Sequence, residues 1–135
     1  MLNPNPNIEN FDLAQVFTKK GPMRDDEVTF AGAGTLIAGT ILARDSVSKK
    51  LIPFVKAGVT NEDGIPKYIL HVDLVAAGAG DEPVRVAQSG EVNKTKLIIL
   101  ADGDDSNVDA DVLDQLRNYI FAAKDFVDDS ELDNQ

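Results

Sequence analysis

From Val28 onward, short apolar and β-branched runs alternate with turn residues. The runs are Val28–Phe30, Thr35–Ala43, Leu51–Val55, Tyr68–Ala76, Val84–Gln88 and Leu97–Leu100, and the punctuation is Gly32–Gly34, Asp45–Lys50, Asn61–Pro66, Gly78–Pro83 and Gly90. That rhythm predicts a compact, β-rich domain of short strands. Between Tyr68 and Val75, polar His71 and Asp73 alternate with apolar Leu70, Val72 and Leu74, the pattern of a strand with one buried face. Over residues 107–124 the period changes. Val108, Val112, Leu116, Tyr119, Ile120 and Ala123 fall at steps of three and four, which predicts an amphipathic helix. Ser106-Asn107-Val108-Asp109 fits a capping box with Asp in place of Glu. Asp109 and Asp111 in the first turn and Lys124 in the last complement the helix dipole.

The ends differ from this middle. Asn and Pro alternate over residues 3–7, and each Pro removes a donor and extends its predecessor. Ile8, Phe11, Leu13, Val16 and Phe17 follow with loosely helical spacing, cut off at Gly21-Pro22. The expected organisation is an extended arm over 1–27, a domain over 28–124 and an acidic tail over 125–135. An arm with two Phe is costly to expose, so it either folds back on its own domain or docks on a partner. The tail carries five acidic groups and no basic one, half the net charge. It is expected to be solvated and to keep the surrounding surface soluble.

Composition narrows the function. The 135 residues suit one domain that can bury roughly two-thirds of its unfolded surface. There is no cysteine, hence no disulfide, thiolate site or cysteine nucleophile; this fits synthesis in a reducing cytoplasm. A net charge of −10 argues against nucleic acid and anionic membranes as partners. No apolar stretch has the length of a spanning helix. The first residues have neither a basic nor an apolar signal region, so no secretory signal is read there and the Asn93-Lys94-Thr95 sequon is expected to stay unmodified.

Candidate chemistry is sparse. His71 is the only histidine, too few for a histidine metal site and with no nucleophile beside it in sequence. Asp102–Asn107 resembles a calcium loop faintly, but the sharp-turn Gly would fall on Asn107 and the bidentate Glu on Leu113. Gly32-Ala33-Gly34 and Gly78-Ala79-Gly80 lack the continuation of phosphate loops and read as turns. No catalytic residue, metal or cofactor is assigned. Interaction is the expected class of function, against two rivals: a β-rich module that binds carbohydrate or serves an assembly, and a small carboxylate enzyme. The first should have an aromatic platform, which a chain with no Trp and two Tyr lacks. The second needs paired carboxylates that spacing alone does not identify.

The ordered succession of segments resembles phage head decoration proteins of the lambda type. Gly34-Thr35-Leu36-Ile37-Ala38-Gly39-Thr40-Ile41-Leu42-Ala43-Arg44 is similar to that family's opening strand, and Leu51-Ile52-Pro53-Phe54 to the next. Ile69–Leu74 and Val84–Asn93 resemble its later strands, and Leu113–Leu116 lies in its last helix; the likeness covers about residues 30–122. It implies an α+β, β-rich fold, a small barrel or tulip-like body with a C-terminal helix and an extended N-terminal arm. It implies a non-enzymatic cement protein on the outer surface of the virion, made in the host cytoplasm. Its partners would be the major capsid protein and, as a homotrimer on the expanded capsid, two further copies of itself at three-fold and quasi-three-fold sites. The arm would order on the shell, with Ile8, Phe11, Leu13, Val16 and Phe17 as anchors. On that reading, removal of residues 1–20 leaves a folded domain that no longer binds the capsid.

Overall fold

The computed structural model describes residues 16–118 and the backbone of 121–124. Among these residues ten strands and one α-helix follow in the order β1 (Phe17–Lys20), β2 (Met23–Phe30), β3 (Gly34–Leu36), β4 (Ile41–Arg44), β5 (Leu51–Pro53), β6 (Tyr68–Ile69), β7 (Leu74–Ala76), β8 (Gly80–Ala87), β9 (Gly90–Asn93), α1 (Ala110–Arg117) and β10 (Phe121–Lys124). They form a five-stranded sheet, β6-β4-β5-β2-β8, curled into a half barrel, a three-stranded sheet, β1-β9-β10, and a two-stranded ribbon, β3-β7. The β-rich α+β fold expected from the sequence is thus the fold observed.

The longest ladder pairs β2 with β8, from Met23 opposite Ala87 to Phe30 opposite Gly80. Val28, Phe30, Val84 and Val86 point inward. Outward-facing partners are complementary: Arg85 Nε lies 3.3 Å from Asp25 Oδ1, and Thr29 Oγ1 donates to Asp81 at 2.7 Å. The register carries on into the other sheet, where Lys20 faces Gly90 and Lys19 faces Glu91. Pro22 offers no N–H, so the ladder bends there. It is held by Gly21 N–H to Ser89 O and Gln88 N–H to Pro22 O.

Two apolar clusters flank β4. Ile41 and Ala43 face one, beneath β1, β9 and α1; Leu42 faces the other, beneath β2 and β8. Burial on both faces explains the unbroken apolar run Ile41-Leu42-Ala43, which alternation would not produce.

The structure moves several boundaries. The domain does not wait for Val28: β1 and β2, between Phe17 and Phe30, already belong to two of the sheets, since β9 and β8 offer edges to them. Phe17–Lys20 is therefore strand, not the loose helix its spacing suggested. The C-terminal helix is shorter than 107–124. Asp109 is its N-cap, its side chain accepting from Val112 N–H at 3.1 Å, and Ser106 lies outside it. The helix ends at Arg117, and Phe121–Lys124 pairs parallel with β9. The free edge of β9 offers that segment a ladder, so Lys124 does not occupy a last helical turn. The expected strand Tyr68–Ala76 is broken, because Leu70 turns in to exchange hydrogen bonds with Gly39 and Thr40. Residues 68–69 join the large sheet and residues 74–76 the ribbon. Tail residues 125–135 and the helix-stripe residues Tyr119 and Ile120 lie outside the described residues.

Candidate functional site

Of the five residues singled out in the sequence, the structure describes two. Val16 and Phe17 lie side by side at the start of β1 and are 7% and 8% exposed, packed into the cluster beneath β9 and α1. Ile8, Phe11 and Leu13 lie outside the described residues. Val16 and Phe17 are therefore the root of the N-terminal segment, fixed in the domain.

The root is built by neighbours that give way to it. Val16 O accepts from Asn93 N–H at 2.7 Å. Gly39 sits at φ +103°, where a Cβ would overlap the Lys96 carbonyl oxygen and touch Val16 Cγ2 at 3.5 Å. Only glycine adopts that backbone and leaves that space without strain. On the other side, a Cβ at Gly90 would lie 3.0 Å from the Phe17 ring, so Gly90 makes room for the aromatic. The Phe17 and His71 rings meet edge to face, centroids 6.4 Å apart at 83°. The Nδ1 atom of His71 is buried and has no hydrogen-bond partner among the described residues. Burial, and then the nearby Lys20 ammonium, hold the imidazole below the ordinary histidine range. The lone histidine is thus a half-buried packing partner of the root.

Val16 lines two clefts. One, of about 550 Å³, is lined by Phe17, Thr18, Lys20, Ala38, His71 and Val72. The other, of about 510 Å³, has Ile37, Ala38, Leu97 and Ile98 among its apolar lining, with Asp73, Asp104 and Asp105 at its polar edge. Ile37 and Val72 are 47% and 46% exposed beside these clefts. Sequence reasoning missed both. Ile37 sat in an apolar run and Val72 on the expected buried face, and the signal that separates them is the pair of turns at Gly39 and Leu70.

Among the described residues no three of His, Cys, Asp and Glu are grouped to hold a metal ion. The Asp102–Asn107 carboxylates serve the turn: Asp104 accepts from Ser106 N–H at 3.0 Å, and Asp102 accepts from Asn107 Nδ2 at 2.9 Å. The Ser106 contacts hold the Asp104 carboxyl below its usual range. Asp109, likewise low, accepts from Lys56 and from Val112 N–H. No helix among the described residues is long and apolar enough to cross a membrane.

The family model described as bacteriophage lambda head decoration protein D aligns with residues 10–120. No curated protein matches the chain.

Proposed function

The chain belongs to the bacteriophage lambda head decoration protein family, so it is a structural protein of the phage head, and from that premise we propose that it is a capsid cement. It binds the outer surface of the expanded head as trimers at three-fold and quasi-three-fold sites and holds the shell against the pressure of packed DNA. Its partner is the major capsid protein. It performs no catalysis, needs no cofactor, and engages neither nucleic acid nor membrane. The observation that carries this reading is the family match, which spans 111 of the 135 residues.

The residues supply a physical route. An N-terminal arm marked by Pro4 and Pro6 resists helix formation but can add to a sheet edge, main-chain bonds giving affinity and side chains giving register. Ile8, Phe11 and Leu13 are its anchors, and Val16 and Phe17 moor it to the domain. One arm binds weakly because its ordering opposes binding. Three arms on a trimer raise avidity by roughly 10² to 10⁴. Preference for the expanded head follows if the acceptor edges exist only there. Electron cryomicroscopy of expanded shells saturated with the protein tests the finer claims: trimeric density at three-fold positions supports them, and density elsewhere or of another symmetry overturns them.

A further inference from the structure

A chain with 23 acidic and 13 basic residues has carboxylates to spare for its lysines, and Lys50 and Lys56 are paired, with Glu27 and Asp109. Lys20 is not. It is exposed at the end of β1 and forms no ion pair among the described residues. It lines the cleft of about 550 Å³ together with Thr18 and His71, while Phe17, Ala38 and Val72 supply an apolar wall. That volume lies within the range of ordinary ligand pockets, about 300–1,000 Å³. Its lining includes no carboxylate, and the Lys20 charge is felt at the His71 ring. The neighbouring cleft has the opposite sign, with Asp73, Asp104 and Asp105 against Lys96 alone. An anionic group is thus drawn to the first cleft and repelled by the second.

The backbone beside Lys20 adds a second feature. β1 is an outer strand of its sheet, with β9 as its partner. A Cβ at Gly90 would lie 2.5 Å from the Lys19 carbonyl oxygen, and Gly21 N–H donates to Ser89 O at 2.8 Å, so the main chain at residues 19 and 21 turns to the β9 side. Strand alternation turns the Lys20 main chain the other way, to the outer edge. An extended segment can pair with that edge while its side chains reach the pocket alongside.

We propose that the Lys20 cleft is a binding site for an extended protein segment that carries a carboxylate next to an apolar side chain, and that the major capsid protein supplies this segment. The source of the segment rests on the decoration reading above; the chemistry of the cleft does not. The carboxylate pairs with Lys20, and the apolar side chain covers Val72, which is 46% exposed, and the Phe17 edge of the wall. Nucleic acid offers no such apolar side chain, and a chain of net charge −10 repels its phosphates. The cleft gives each copy a contact with the shell besides its arm, and two linked contacts bind more tightly than either alone.

The single histidine reports on this cleft. Its ring signals are followed by nuclear magnetic resonance while the full-length protein is titrated with the peptides Ac-Val-Glu-Val-NH2 and Ac-Val-Gln-Val-NH2. The glutamate peptide is expected to move the His71 signals saturably and to bind at least about threefold more tightly than the glutamine peptide, a difference that Lys20→Glu abolishes. Equal binding of the two peptides, or no response to either, overturns the site. An equal response to a short DNA duplex overturns the commitment to a protein segment. A change in the His71 signals on deletion of residues 125–135 would mean that the chain's own acidic tail holds the cleft, and overturns the capsid protein as its occupant. Expanded shells test the source of the segment. Lys20→Glu is expected to bind them at least about tenfold more weakly than Lys49→Glu, which makes the same charge change at an exposed residue outside the cleft. Val72→Ser is expected to weaken binding as well, and Lys20→Arg to keep it. Shell binding by Lys20→Glu and Val72→Ser equal to that of the wild type overturns the capsid protein as the partner at this cleft. Failure of the wild type to bind any shell counts against the decoration reading alone, because the peptide titration still decides what the cleft selects.

Discussion

Gly39 shows how much can depend on one missing side chain. It combines a positive φ with contact at the Lys96 carbonyl, directly under Val16. Gly39→Ala is expected to cost roughly 2–4 kcal/mol, from backbone strain and overpacking together. Urea denaturation measures it, and an unchanged midpoint would mean the turn relaxes freely. Val59→Ser, at a side chain 95% exposed, is expected to stay within about 0.5 kcal/mol. His71 predicts a pH effect. Its folded-state pKa is depressed below the ordinary value of 6.5, so the neutral ring is the one the fold favours. The stability this contributes is fully present above about pH 6.5 and declines as pH falls through the depressed folded value. Denaturation midpoints between pH 7.5 and 5.5 should therefore fall in the wild type and fall less in His71→Gln. The sequence marked His71 as a strand residue on a polar face. It could not show the ring turning to Phe17, because that depends on where Leu70 bends.

Among the elements, α1 was the most legible and also the most misjudged at its end. Val108, Val112 and Leu116 are buried as the stripe required. Leu116→Ala should cost about 2–5 kcal/mol by denaturation, and a loss under about 1 kcal/mol would contradict its placement in the core. The helix stops at Arg117 because the edge of β9 competes for the following residues, a tertiary effect that periodicity does not record. The cap is local and separable. Asp109→Asn keeps an acceptor for Val112 N–H while removing the charge facing Lys56, whereas Asp109→Ala loses both. Thermal melts should show the Ala variant below the Asn variant. β4 was easy to find for the opposite reason: both its faces are buried, so it stands out as an apolar run. The β1–β2 segment was hidden by Gly21-Pro22, which reads as an end in sequence but is a bend within one continuous register.

For the molecule as a whole, the fold and the head-protein family were both visible in the order of segments, while the boundary between arm and domain was not. Phe17–Lys20 is a strand and Val16 and Phe17 are core, so removal of residues 1–20 takes away part of the domain, contrary to the sequence expectation that such a truncation folds. Removal of residues 1–15 is the cut that separates the two roles. It should leave the far-ultraviolet spectrum and cooperative unfolding intact, whereas removal of residues 1–20 should lower the denaturation midpoint markedly. The clefts beside Val16 were beyond the sequence because their walls come from five separate segments, near Val16, Ile37, Asp73, Leu97 and Asp104. The most direct measurement of the cement role is co-sedimentation of the full-length and 1–15-deleted proteins with expanded and unexpanded shells of the parent phage. Saturable binding of the full-length protein to expanded shells alone, lost on deletion, is the predicted result; no binding to either shell, or undiminished binding by the deleted protein, would contradict the account.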